Sequence, residues 1–316
     1  MKDDAMKCLV LGGCGFIGSH VVERLLRDGH DVRVFDKSNV DESNIASFRD
    51  RVSLVTGDFT NVVDVYAALE GIELVFHFVG TTVPQTSMEN LAYDIETNVM
   101  ASVRLLEACL KNDVRRIVFS SSGGTVYGIP QKTPITEDHP NNPICSYGVT
   151  KLAVEKYIAL FNRLHGLDYR IIRYANPYGP RQRIHASQGA VAVFLGRVLE
   201  DKPVTIWGDG TVKRDYIYVQ DAAEATVRLA MEEHPAGIYN VGSGRAVSLN
   251  ELIETIKKVT GRKIRVDYTE ARKIDVPVNV LAVGKISAAL GWRPETDLES
   301  GIRRTWEWLT TGKQGQ

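Results

Sequence analysis

Cysteine is scarce. The 316 residues hold four, Cys8, Cys14, Cys109 and Cys145, with no CxxC and no cysteine–histidine cluster. That excludes a disulfide framework and a zinc site of familiar spacing, and places the chain in a reducing cytoplasm. An excess of one charge is also missing. Against 39 acidic residues stand 38 Lys and Arg, a formal net charge of -1. No global field therefore draws the chain to nucleic acid or to an anionic membrane, and an anionic ligand must be held by local positive charge. No apolar run approaches the roughly 18 residues of a membrane span. Met1 to Ala5 is polar, and the next apolar run, from Cys8 to Val10, leads straight into a glycine turn. No secretory leader is expected there. Internal repeats and low-complexity linkers are lacking too.

What is present is an ordinary globular composition, 44% hydrophobic and 24% charged. The length allows two domains or one large one. Up to residue 175, short apolar runs alternate with amphipathic stretches. Strands are predicted at Lys7–Leu11, Asp31–Phe35, Val52–Thr56, Leu74–Phe78, Arg116–Ser120 and Tyr169–Arg173. Helices are predicted at Ser19–Arg27, Val65–Leu69, Glu96–Leu110 and Tyr147–His165, their apolar residues recurring on one face. Strands separated by crossover helices predict an α/β, Rossmann-type doubly wound parallel sheet covered on both faces. After Tyr174 the texture changes. Asn176-Pro177-Tyr178-Gly179-Pro180 breaks the chain, and loops grow richer in glycine and arginine. Helical patterns return at Ala190–Leu199, Asp221–Glu232, Leu249–Thr260 and Lys285–Leu290. The expected division is a Rossmann domain over 1–175, completed by sheet segments near 214–242, and a smaller interleaved α/β lobe over 176–316.

Gly12-Gly13-Cys14-Gly15-Phe16-Ile17-Gly18 lies between the first strand and the first helix. Glycines there let the backbone turn tightly and approach a pyrophosphate, while the helix start offers free N–H groups and partial positive charge. Asp36 ends the second strand, 18 residues beyond Gly18. A carboxylate there suits the adenosine ribose hydroxyls and repels a 2′-phosphate, favouring NAD over NADP; Lys37 beside it works the other way. Asp58, after the third strand, suits the adenine amino group or is simply a helix cap or turn residue.

Tyr147 and Lys151 are four apart on a predicted helix and so share a face. A lysine beside a tyrosine lowers the phenol's pKa, making a base for a substrate hydroxyl while its C–H hydride leaves. The plain alternative is a surface pair. Upstream, Ser120-Ser121-Ser122-Gly123-Gly124-Thr125 follows an apolar strand, where hydroxyls face the ligand crevice of a parallel sheet.

With these residues in view, the chain resembles the extended short-chain dehydrogenase/reductases, and among them the NAD-dependent nucleotide-sugar epimerases and dehydratases. In motif it is closest to the UDP-galactose (UDP-glucose) 4-epimerases. The resemblance runs nearly the whole length. It rests on the glycine turn, Gly57-Asp58, His77-Phe78-Val79-Gly80, Asn98, the serine run, Tyr147 with Lys151, Arg173 to Pro180, Arg214-Asp215-Tyr216-Ile217 and Tyr239-Asn240-Val241-Gly242. It implies that NAD is held by Gly12, Gly15, Phe16, Ile17, Gly18, Asp36, Lys37, Asp58 and Phe59. Phe78, Val79, Gly80, Asn98, Ser120, Tyr147, Lys151 and Tyr174 complete that set. The catalytic Ser/Thr maps to Ser122. Relative to the family, one extra residue stands in Gly123-Gly124; counted back from Tyr127, Gly123 falls at the site instead. A bulge would reconcile the counts, with Ser121 and Thr125 in reserve.

For a nucleotide sugar, the resemblance assigns phosphate to Asn176, Arg214 and Arg272, ribose to Asp275 and the base to Trp207, with Tyr216 among the substrate contacts. Thr82 stands where UDP-galactose epimerases often carry lysine. Asn279 stands where bulk at the sugar's C2 is gated, and it is not the restrictive tyrosine. N-acetylated or uronic-acid sugars are therefore expected to be accepted. Family dehydratases carry Asp-Glu after the catalytic Thr, and decarboxylases a glutamate before Val-Tyr-Gly; here Gly124 and Thr125 hold those places. A UDP-sugar 4-epimerase is the expectation. Keto-sugar reduction and, in another class, a non-catalytic NAD-binding regulator remain open. The helices at 96–110 and 147–165 resemble those of the family's four-helix dimer interface, implying a homodimer.

Overall fold

In the computed structural model, residues 5–186, 188–271 and 276–311 are described. β1 (Lys7–Leu11), β2 (Asp31–Asp36), β3 (Ser53–Thr56), β4 (Leu74–His77), β5 (Arg116–Ser122) and β6 (Asp168–Tyr174) fall where the apolar runs predict strands. Alternate residues of each strand enter opposite cores. Cys8 and Val10 pack with Val34, Phe76 and Val118 under α1 (Phe16–Arg27). Leu9 and Leu11 pack with Val75, Ile117 and Phe119 under α2 (Val62–Leu69) and the helix that begins at α3 (Leu91–Asp94). Burial on both faces is why these strands read as continuous apolar runs.

β7 (Asn176–Tyr178), β8 (Val204–Trp207), β9 (Lys213–Arg214), β10 (Tyr216–Tyr218), β11 (Gly237–Val241), β12 (Val247–Ser248), β13 (Val266–Thr269) and β14 (Val278–Asn279) follow. The main sheet has seven parallel strands in the order β11-β6-β5-β4-β1-β2-β3. β1 lies between β4 and β2, so the strand order reverses there and opens a crevice at the carboxyl ends. Of the stretch 214–242 only β11 joins this sheet. β10 pairs with β7, and β9 lies between β12 and β14.

α3 runs through a π-helical segment, Ile95–Met100, into α4 (Ala101–Lys111). α5 (Ser146–His165) packs on the same side of the sheet, and α7 (Val219–Met231) joins α1 on the other. The second lobe buries its own cluster, including Tyr178, Leu195, Leu252 and Ile302, among α6 (Ala190–Leu199), α8 (Leu249–Thr260) and α10 (Leu298–Thr310). α9 (Gly284–Leu290) covers β11. α10 was not anticipated, although Asp297 caps it and Leu298, Ile302 and Leu309 keep helical spacing.

Candidate active site

The glycine turn is built for close approach. Gly12 has φ +79° and donates its N–H to the Phe35 carbonyl. A Cβ on it would lie 3.2 Å from Phe78 C and Val79 N, so the turn rests on the backbone leaving β4. A Cβ on Gly18 would collide with the Gly12 carbonyl, and one on Gly13 would lie 2.8 Å from Val34 Cγ1. α1 starts at Phe16 with Gly15 as its N-cap, no side-chain cap and no acidic residue in its first turn. Its opening N–H groups therefore face the crevice without a carboxylate competing for them. Asp36 sits at the lip: Oδ2 accepts from Cys14 N at 3.1 Å and Oδ1 from Lys37 N at 2.9 Å. The Lys37 side chain points to solvent. Asn44, which sequence reasoning did not single out, donates to the Cys14 carbonyl at 3.0 Å. This cradle fits a dinucleotide.

Three expected cofactor contacts need correcting or narrowing. Tyr174 shares a face of β6 with Ile172, so its ring lies in the core beneath α7 and its hydroxyl meets Thr226 Oγ1 at 2.5 Å. Strand parity removes that side chain from the crevice and leaves only its main chain near it. Phe59 is likewise a core residue, its ring 5.1 Å from His77. Asp58 forms a turn, with Oδ1 accepting from Thr60 N and Oγ1, each at 2.8 Å; the cap of α2 is Asn61.

The loop after β4 is held from the π-helical segment. Asn98 Oδ1 accepts from Thr81 N at 3.1 Å, and Asn98 Nδ2 donates to Thr81 Oγ1 at 2.9 Å and to Asp94 Oδ1 at 2.9 Å. Thr82 is buried and donates to Asp94 Oδ1 at 2.5 Å, while Ser146 donates to Asp94 Oδ2 at 2.6 Å. Asp94 is fully buried, and sequence reasoning missed it. Asp94 and Asn98, four apart, share one helix face and reach the same loop; the π-helical segment that begins between them is a feature frequent at functional sites.

β5 runs regularly through Ser122, which is in register with Tyr174. Ser121 faces α5 and donates to Glu155 Oε1 at 2.5 Å; Glu155 in turn pairs with the buried Arg173 at 2.6 Å. Ser120 accepts from Lys151 Nζ through its carbonyl at 2.8 Å. The Ser122 hydroxyl makes no hydrogen bond among the described residues. The Gly123 N–H donates to the Tyr174 carbonyl, and its missing side chain makes room for Leu281. Gly123 therefore faces the packed interior. Thr125 Oγ1 is buried without a partner among the described residues.

α5 begins at Ser146, which puts Tyr147 in its first turn and Lys151 one turn on. Tyr147 N donates to Ser87 Oγ at 3.0 Å. A Cβ on Gly148 would lie 2.8 Å from the Thr125 carbonyl, so glycine lets this turn close on the serine loop. Lys151 Nζ stands 5.6 Å from the Tyr147 ring centroid and 4.8 Å from that of Phe119. Burial lowers the lysine to about 8, with Glu155 and Asp94 opposing the fall. Burial, then Cys145 and Asp94, push the Tyr147 phenol up to about 12. In this geometry the ammonium is engaged by the Ser120 carbonyl and does not lower the phenol.

In the second lobe, Asn176 Nδ2 donates to the Asp215 carbonyl at 2.9 Å. Arg214 donates to the Val276 carbonyl at 2.6 Å, and Trp207 is largely exposed at the end of β8. Tyr216 is buried, its hydroxyl without a hydrogen-bond partner among the described residues. Asn279 is buried opposite Arg214 and donates to the Gly123 carbonyl at 3.1 Å. Arg272 and Asp275 lie outside the described residues. Asp215, also missed, is a buried organiser: it accepts from Ser243 N and Oγ, Gly244 N and Leu281 N.

A phosphate-cradling turn at the switch point of a doubly wound sheet, facing a Ser/Tyr/Lys set, defines a nucleotide-dependent oxidoreductive enzyme. Residues 8–242 match the model of the NAD dependent epimerase/dehydratase family, and the chain belongs to that family. It is similar to a UDP-glucose 4-epimerase from Thermotoga maritima solved with UDP-glucose: 37% identity, 97% of this chain and 99% of that one, TM-score 0.92. It is also similar to a Thermus thermophilus UDP-glucose 4-epimerase solved with NAD: 35% identity, 97% and 100% coverage, TM-score 0.90. A third likeness is to a UDP-N-acetylglucosamine 4-epimerase from Methanobrevibacter ruminantium solved with UDP-N-acetylmuramic acid, at 29% identity, 98% and 99% coverage and TM-score 0.91.

Proposed function

We propose that this chain is an NAD-dependent epimerase that inverts C4 of a UDP-sugar through a transient 4-keto sugar. The observation that carries the reading is that the first turns of α5 bring Tyr147 and Lys151 against the serine loop, with Lys151 Nζ on the Ser120 carbonyl, across from a glycine turn shaped for a pyrophosphate. NAD, when bound, supplies the hydride acceptor and a positive nicotinamide ring whose charge favours the phenolate. The chain's own residues do the rest. Gly12, Gly15 and the start of α1 hold the pyrophosphate, and Asp36 holds the ribose. Tyr147 takes the proton of the sugar's 4-hydroxyl, Ser122 hydrogen-bonds that oxygen, and Lys151 holds positive charge one helical turn away. Arg214 and Asn176, with Arg272 and Asp275, hold the nucleotide; Trp207 stands by the base, and Thr82, Tyr216 and Asn279 stand near the sugar.

The serine loop has no added carboxylic acid at Gly124 or Thr125, which favours epimerisation over dehydration or decarboxylation. We read residues 1–175 as the NAD domain and 176–316 as the substrate lobe. Four free cysteines support a cytoplasmic enzyme, and among the described residues no helix is long and apolar enough to cross a membrane. Ile95 and Met100, with Val149, Tyr157, Leu160 and Leu164 of α5, are exposed apolar side chains, which supports a homodimer through these helices. Light scattering on purified protein tests that.

The deciding experiment incubates purified protein with UDP-glucose and no added NAD. Conversion to UDP-galactose, lost in Tyr147→Phe, is the expected result. Net NADH points to a dehydrogenase, and no turnover with NAD still bound to a regulator. Parallel assays with UDP-N-acetylhexosamines and UDP-hexuronic acids define the sugar range.

A further inference from the structure

The loop that follows Ser122 is not held by its own strand alone. It is laced to the segment that leaves β14. Asn279 donates to the Gly123 carbonyl at 3.1 Å. Leu281 fills the space where a Gly123 Cβ would stand, 2.6 Å from its Cδ1. Farther along the loop, Ile135 N donates to the Val280 carbonyl and Ala282 N to the Ile135 carbonyl, both at 2.8 Å. Asn240 accepts from the Tyr127 hydroxyl at 2.7 Å and donates to the carbonyls of Ile135 and Ala282. The same segment is tied to the substrate lobe. Asp215 N donates to the Asn279 carbonyl at 3.1 Å, and Asp215 Oδ2 accepts from Leu281 N at 3.2 Å. Asn279 is also the β-sheet partner of Arg214.

A carbonyl only accepts, so the Asn279 amide must turn its nitrogen to Gly123. Its Oδ1 is then left buried without a partner among the described residues. Gly123 directly follows Ser122, and Asn279 is what grips it.

We propose that Asn279 is a positioning residue for Ser122: through Gly123 it sets the serine hydroxyl, and so links the nucleotide-holding strand to the reaction. The proposal rests on the epimerase reading and adds a role to Asn279 beyond sugar selection.

The test uses the full chain with Asn279→Asp, Asn279→Leu and Gly123→Ala. Asn279→Asp keeps the shape but sets an acceptor against the Gly123 carbonyl. The expected result is a kcat on UDP-glucose about 10- to 100-fold lower, as for a catalytic group displaced by about an ångström. KM and the Kd for UDP stay within about threefold on the same argument that only the reacting group moves. The Asn279→Asp/Gly123→Ala double variant should lose less than the sum of the two single losses, since both act through the position of Gly123. A raised KM with unchanged kcat, or additive losses, overturns the proposal.

An arm independent of turnover measures amide hydrogen exchange over residues 123–128. Faster exchange there in Asn279→Leu, with the strands of the main sheet unchanged, supports the link; unchanged exchange overturns it. If the wild-type chain turns over no UDP-sugar, the epimerase reading fails and the exchange arm alone decides. If Asn279→Leu does not fold, Asn279→Asp is carried through the same measurement.

Discussion

Ser146 Oγ donates to Asp94 Oδ2 at 2.6 Å, tying the residue before Tyr147 to a carboxylate that solvent does not reach. Asp94 also accepts from Thr82 and Asn98, so one side chain joins the loop after β4, the π-helical segment and the start of α5. A buried carboxylate is tolerable because its oxygens are supplied with donors. Removing it strands three of them. Asp94→Ala should cost about 3 kcal/mol by urea denaturation and lower kcat, while Asp94→Asn costs less because one acceptor oxygen remains. Equal stability of wild type and Asp94→Ala would show that the network is incidental.

Two neighbouring serines should behave differently. Ser122→Ala is expected to lower kcat by about 10²-fold, the usual loss for one donor to a reacting oxygen, with the unfolding midpoint unchanged. Ser121→Ala removes a hydrogen bond to the buried Glu155. It should cost about 1–2 kcal/mol of stability and leave kcat within about threefold, because its hydroxyl is buried and already engaged by Glu155. Steady-state kinetics with thermal melts on both variants check this; a reversed pattern would move the catalytic role to Ser121.

The Lys151 cation should set an alkaline limit. Its pKa lies near 8, below the ordinary 10.5, because burial disfavours the charge. As pH rises through about 8 the ammonium is lost, and kcat should fall. The stability effect has the opposite sign. Between about 8 and 10.5 the unfolded chain holds a proton here that the folded chain has released, so this group makes stability rise with pH in that window. A pH–rate profile flat to pH 9.5 would count against a charged Lys151 in catalysis.

Gly18→Ala should fail at the cofactor. Its methyl would strike the Gly12 carbonyl, which is main chain and cannot swing away. The expected outcome is a loss of about 1–3 kcal/mol and protein that purifies with little NAD, measured by release on denaturation. Wild-type NAD content in this variant would show that the turn can widen.

Much of the nucleotide half is legible in the sequence because its signals are local. Continuous apolar runs mark β1, β4 and β5, since both faces of those strands are buried. The glycine turn is legible because Gly12 needs a positive φ and Gly18 has no room for a side chain. Tyr147 and Lys151 are legible because helical spacing alone puts them on one face. The second lobe is less so. Short strands such as β9, β12 and β14 have two residues each, too few to show a period. α10 had its cap and spacing, and was passed over.

The pairing of Tyr147 with Lys151 is a matter of helix geometry, and the amino-acid order determined it. Whether the lysine acts on the phenol was decided elsewhere. Packing desolvated both groups, which raised the tyrosine and lowered the lysine, and it turned the ammonium to the Ser120 carbonyl. Strand parity sent Tyr174 into the core, and the segment after β14 closed on Gly123 from a distance of 156 residues. Propensity and spacing act over a few residues, whereas burial and hydrogen-bond partners come from whichever segments the sheet order brings together.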